Sequence, residues 1–74
     1  MPKIPILSGD IIVKVLEKIG YFRTRQRGSH IRLKHETRRS VTVPVYKTIG
    51  KGLLRKILRD GELTVEEFVS LMGK

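Results

Sequence analysis

The chain has 74 residues, with 16 Lys and Arg against 7 Asp and Glu, a formal net charge of +9, two histidines and no cysteine. That length predicts one domain over 1–74 with a small core, so self-association or a folded partner is a natural source of extra stability. The missing cysteines exclude disulfide staples and thiolate zinc sites. No apolar run reaches membrane-spanning length and no signal-peptide core is present, so a cytoplasmic location is expected.

Pro2 and Pro5 should keep the first residues extended. Ser8 is a good helix N-cap, with Asp10 favourably placed against the helix dipole. Ile11, Ile12, Val15, Leu16 and Ile19 then recur at helical spacing, and Gly20 is the expected stop. Lys14, Glu17 and Lys18 fall on the opposite face. Three short strands are predicted next: Tyr21 to Gln26, Ser29 to His35 and Ser40 to Pro44. Arg27-Gly28 reads as a tight hairpin and Glu36 to Arg39 as the second turn. Alternation puts Ile31 and Leu33 on one face of the middle strand and His30, Arg32 and Lys34 on the other. Val41 and Val43 continue the apolar face, and Pro44 should end the pairing.

Val45 to Gly50 is a loop carrying Tyr46 and Lys47. A second helix follows, with Leu53, Leu54, Ile57 and Leu58 inward, Arg55, Lys56 and Arg59 outward, and Gly61 as its stop. Thr64 and Glu67 have the spacing of a capping box, and Leu63 and Phe68 that of a hydrophobic staple. A short last helix carries Phe68, Val69, Leu71 and Met72. The predicted class is α+β: an α-β-β-β-α order with a short C-terminal helix, a three-stranded antiparallel sheet, and helices on one face. That is also the order of double-stranded RNA-binding domains, although a fold does not establish a function.

The charge is clustered. From Tyr21 to Arg59 there are twelve basic residues and a single acid, Glu36. Such separation is the footprint of a surface for a polyanion, nucleic acid in the first place. Attraction to anionic lipid is the alternative, but it calls for large aromatics on a basic helix, and the chain has no tryptophan. Arg25, Arg27, Arg32, Lys34 and Lys47 are candidate phosphate ligands, each with plain solvation as its bland role. Gly28 most simply serves a turn, or lets a phosphate approach the main chain; Ser29 most simply satisfies turn backbone. Lys51, Arg55 and Arg59 can grip a backbone or form an ordinary solvated helix face, and Tyr46 can stack on a base or pack locally.

His30 is the candidate catalytic residue. A neutral imidazole on a cationic surface can take the proton of a ribose 2′-hydroxyl, with arginine and lysine stabilising the charge that develops on phosphate. Without a family to compare, a strand histidine with no catalytic role is the commoner case. No cofactor or metal is called for, since no acids cluster in the sequence to hold one. His35 sits at an odd offset from His30, so it should face the other way as a solvated turn residue.

Taken together, Ser8 to Phe22, Gln26-Arg27-Gly28-Ser29-His30, Arg39 to Pro44, and Leu54 to Leu58 leading into Leu63 to Phe68 resemble the HicA family of toxins over nearly the whole chain. The resemblance implies a fold similar to double-stranded RNA-binding domains, metal-independent cleavage of mRNA, and neutralisation by a HicB antitoxin. It also puts the family's catalytic histidine on His30. Ile31 stands where many members carry a second histidine, and a histidine often found near Val45 or Tyr46 is absent. The functional expectation is therefore an endoribonuclease toxin with His30 as acid or base, and Arg25, Arg27, Gly28, Ser29, Arg32, Lys34 and Lys47 holding RNA phosphate. An acidic antitoxin would cover that face. The alternatives are a non-catalytic RNA-binding module and, less well supported because the basic residues lie largely on strands, a DNA-binding regulator.

Overall fold

Helix α1 spans Gly9–Glu17 because Ser8 caps it, its hydroxyl accepting from the Ile11 N–H at 3.4 Å, and because Ile12, Val13, Val15 and Leu16 form one buried stripe. The stripe is rotated from the expected one. Ile11 is 43 % exposed, and Val13 takes its place in the core. The structure, a computed structural model, describes residues 6–73. The extended start expected at Pro2 and Pro5 lies outside the described residues.

Strands β1 (Phe22–Arg27), β2 (His30–Lys34) and β3 (Val41–Pro44) form one antiparallel sheet in the order β1-β2-β3, followed by α2 (Lys51–Asp60) and α3 (Val65–Met72). The chain is thus α+β, in the α-β-β-β-α-α order consistent with a double-stranded-RNA-binding-domain-like fold. Ile31, Leu33, Val41 and Val43 line the inner face of the sheet, where the helices bring Leu16, Leu54, Leu58 and Phe68 into the same cluster. Burying side chains of this size is worth about 1.5–3 kcal/mol each. Pro44 is the last paired residue, opposite His30, as expected of a residue that cannot donate to a further ladder.

The apolar face of the sheet is made by β2 and β3 alone. Every β1 residue is exposed, and Tyr21, predicted to open the strand, instead turns into the core just before it. Its hydroxyl donates to the Arg39 carbonyl at 2.8 Å, which ties the start of β1 to the β2–β3 connection. Burial pushes the Tyr21 phenol above its ordinary range; Arg38 opposes this, while Glu62 and Asp60 add to it.

Two close approaches set how the elements meet. A Cβ at Gly9 would overlap the Pro44 carbonyl, so only glycine lets the first turn of α1 rest on the end of β3. There the Gly9 N–H donates to the Tyr46 carbonyl at 2.9 Å. Leu7 and Ile49 form an isolated antiparallel bridge beside this contact. At the other end, Gly61 caps α2 and Glu62 adopts φ 60°, a left-handed conformation uncommon for a residue with a Cβ. Arg38 holds that turn, its Nη1 donating to the carbonyls of Gly61 and Glu62 at 2.9 and 3.0 Å. The capping box of α3 is present as expected, with reciprocal Thr64–Glu67 bonds at 2.9 and 3.0 Å.

Replacing Glu62 by glycine removes the left-handed penalty, so Glu62→Gly is expected to raise unfolding free energy by about 1 kcal/mol in urea melts. The Tyr21 phenol binds its proton more tightly folded than unfolded. Its contribution is therefore fully present below the ordinary tyrosine value of about 10 and is lost as pH rises through the raised folded value. As pH rises above about 10 the wild-type chain should lose more stability than Tyr21→Phe; equal losses would contradict this.

Candidate functional site

Burial of Ile31 and Leu33 turns His30, Arg32 and Lys34 of β2 outward, away from the helices. The strand is entered through a two-residue loop, Gly28-Ser29, between the paired residues Arg27 and His30. Gly28 has φ 55° while Ser29 does not have a positive φ, the sign pattern of a II′ turn with glycine at its first central position. The hairpin is therefore one residue further along than Arg27-Gly28, and β2 begins at His30 rather than Ser29.

A bulge sorts the arginines of β1. The register shifts between Arg23 and Arg25, leaving Thr24 as the extra residue. Before the shift Arg23 opposes buried Leu33; after it Arg25 opposes Arg32 and Arg27 opposes His30. Paired residues share a face, so Arg25 and Arg27 join His30 and Arg32 on the open side. Arg23 goes to the helix side, where its guanidinium lies 3.6 Å from the Glu17 carboxylate. The extra residue is tied across the sheet, Thr24 Oγ1 donating to the Arg32 carbonyl at 3.3 Å.

The outcome is an open depression of about 620 Å³ lined by Thr24, Arg25, Arg27, His30, Arg32, Lys34 and Thr42. Four of these seven are cations and none is acidic. Arg25 and Arg32 stand directly opposite each other, an arrangement of like charges that destabilises a sheet until an anion sits between them. The Arg32 Nη1 is steadied by the Thr42 hydroxyl at 3.3 Å. Lys47 lies outside this lining, exposed on the loop beyond Tyr46. Lys51, Arg55, Lys56 and Arg59 are exposed on α2, whose buried face joins the core on the other side of the sheet.

His30 lines the depression and is exposed. Its Nδ1 is 3.4 Å from the Ser29 hydroxyl, so Ser29 does more than satisfy the turn. The Ser29 carbonyl also accepts from the Val45 N–H at 2.5 Å, which draws the β3–α2 loop against the histidine. Tyr46 follows, its ring 6.1 Å from the imidazole and nearly perpendicular at 75°. Ile31, where a second histidine would stand, is 2 % exposed, so a side chain there points into the core and cannot pair with His30. Among the described residues no group of three His, Cys, Asp or Glu side chains is placed to hold a metal ion.

His35 corrects an expectation. It is not a solvated turn residue but a half-buried brace. Its Nε2 lies 2.7 Å from the Ile19 carbonyl, and a carbonyl only accepts, so Nε2 is the donor. Nδ1 then accepts from the Thr37 and Arg38 N–H groups at 3.0 and 3.3 Å. The ring packs edge-on against Tyr21 with centroids 4.9 Å apart, and Gly20, at φ 105°, leaves room for Nε2 to approach. The two histidines thus divide the work: one holds α1 to the β2–β3 turn, the other is presented to solvent.

Residues 9–63 match a family model described as HicA toxin of bacterial toxin-antitoxin. The matched segment runs from the first turn of α1 to the residue before the α3 cap and contains every residue of the depression. No curated protein matches the chain at a significant level. No described helix is long and apolar enough to cross a membrane.

Removing the brace and removing the exposed ring should have different effects on stability. His35→Ala is expected to cost about 1–3 kcal/mol, because hydrogen-bonding groups of the α1 end and the turn lose their partner. His30→Ala should leave the thermal midpoint close to that of the wild type. Calorimetry of both variants checks this, and a His30→Ala midpoint as low as that of His35→Ala would contradict it.

Proposed function

The chain belongs to the HicA toxins of bacterial toxin–antitoxin systems, and from that premise we propose that its open cationic sheet face is an endoribonuclease site with His30 as the acid–base group. Membership makes it a toxin with an antitoxin partner. The observation that carries the catalytic reading is the presence of a single exposed imidazole in the lining of an acid-free depression, opposite Arg27 in the strand register and on the same face of its strand as Arg32.

In this reading Arg25, Arg27, Arg32 and Lys34 bind the phosphates of a single RNA strand, and Gly28 and Ser29 let the chain approach the turn. Lys47 extends the cationic surface past Tyr46. His30 accepts the 2′-hydroxyl proton as O2′ attacks the adjacent phosphorus. The P–O5′ bond breaks, and the leaving oxygen takes a proton from water or from the imidazolium. The products are a 2′,3′-cyclic phosphate and a 5′-hydroxyl, and no metal takes part. The guanidinium groups stabilise the phosphorane charge without reorganisation, because they are already gathered on the face. A HicB-type antitoxin with an acidic surface would inhibit by covering this face, and opposite charge would speed the encounter. A cytoplasmic site of action fits an mRNA substrate.

His30→Ala is expected to lower cleavage of single-stranded RNA by about 10²- to 10⁴-fold, the usual contribution of a general acid–base group, with RNA affinity retained. The assay runs in a chelator, with end-group analysis of the products. Undiminished cleavage by the variant would refute the role of His30, and a 5′-phosphate product would point to activated water. RNA that stays intact at wild-type excess while still bound would favour a binding module without catalysis.

A further inference from the structure

The face assigned to RNA has a ring at its histidine end that the acid–base reading does not use. Tyr46 is 47 % exposed although it is one of the few large apolar side chains on this surface. Its backbone is fixed on both sides: the preceding Val45 N–H donates to the Ser29 carbonyl, and the Tyr46 carbonyl accepts from the Gly9 N–H at 2.9 Å. The same turn that presents His30 therefore also sets the position of Tyr46. A perpendicular contact at 6.1 Å leaves at least one face of the phenol ring uncovered by the imidazole.

We infer that Tyr46 is a nucleobase platform, on which the unpaired base of the nucleotide next to the cleaved bond stacks while its ribose faces His30. This rests on the reading of the face as an RNA site and adds to it the part that orients the substrate. The arginines and Lys34 meet phosphates, which fix register but carry no sequence information. A flat ring beside the reacting ribose supplies a base contact that a charged trough cannot. Stacking needs a base free of its partner, so the platform selects single strands over duplexes even though the fold has the element order of duplex-binding domains. Hydrogen bonds at Tyr46 and at its neighbour hold the backbone that carries the ring, so less of the loop has to be ordered on binding.

Two substitutions separate the ring from its hydroxyl, and an abasic substrate separates the base from the backbone. Tyr46→Ala is expected to weaken binding of a single-stranded RNA oligonucleotide to the inactive His30→Ala chain, and to lower kcat/KM in the active chain, by about 5- to 150-fold, the range measured for a base on an aromatic ring. Tyr46→Phe should stay within a few-fold of the wild type in both assays. Removing the base at one position flanking the scissile bond should reproduce the loss in the wild type and add nothing in Tyr46→Ala. Unchanged binding in Tyr46→Ala would overturn the platform. Cleavage as low in Tyr46→Phe as in Tyr46→Ala, with binding intact, would overturn it in favour of the hydroxyl as proton donor to the leaving oxygen. Cleavage surviving in His30→Ala would remove only the acid–base reading, since binding of a 2′-deoxy-substituted single strand, which lacks the attacking hydroxyl, then decides on Tyr46.

Discussion

Ile31 and Leu33, at 2 % and 0 % exposure, fix the direction of every other side chain on β2. A slip of one residue would carry both into water and put Arg32 against the helices, so the register of the strand is strongly determined. His30, Arg32 and Lys34 are outward for that reason alone. The rest of the open face is built on this alternation. The Gly28-Ser29 turn brings Arg27 opposite His30, and the bulge at Thr24 brings Arg25 opposite Arg32 instead of letting it continue in step with Arg23.

The cations of the central segment have separate tasks. Arg23 pairs with Glu17, and Arg38 closes the turn between α2 and α3. Neither contributes to the depression, although the sequence counts them with the rest. Those that do contribute meet no acid there, and two of them stand opposite each other on paired strands. An anion between them relieves that repulsion, and in the proposed reading an RNA phosphate or an acidic antitoxin surface supplies it. In the proposed reading, competition between the two for one face is how the antitoxin holds the toxin silent.

Much of the architecture was legible in the sequence because its signals are local. The Ser8 cap, the Gly61 stop, the Thr64–Glu67 box and the alternation of β2 depend on residues a few positions apart, and the structure has them where expected, whereas α1 closes at Lys18, two residues before the expected Gly20. What was not legible depends on contacts between distant segments. Val13 rather than Ile11 is buried, and α1 rests on Pro44 through Gly9, a contact between distant segments that no periodicity encodes. His35 looked like a loop residue because its partners, Ile19 and Tyr21, belong to an earlier part of the chain. The bulge leaves no mark in a strand of alternating basic and polar residues that buries nothing. The glycine in the first turn of α1, a poor helix former, was the one available hint of a close approach.

The central claim is that the cationic face of the sheet, and not the equally basic outer face of α2, receives RNA. Amide and imidazole chemical-shift mapping with a non-cleavable 2′-deoxy-substituted single strand tests this directly. The account predicts shifts concentrated at Arg25, Arg27, His30, Arg32 and Lys34, with His35 unmoved. Shifts centred on Lys51, Arg55 and Arg59, with the His30 ring unaffected, would contradict it.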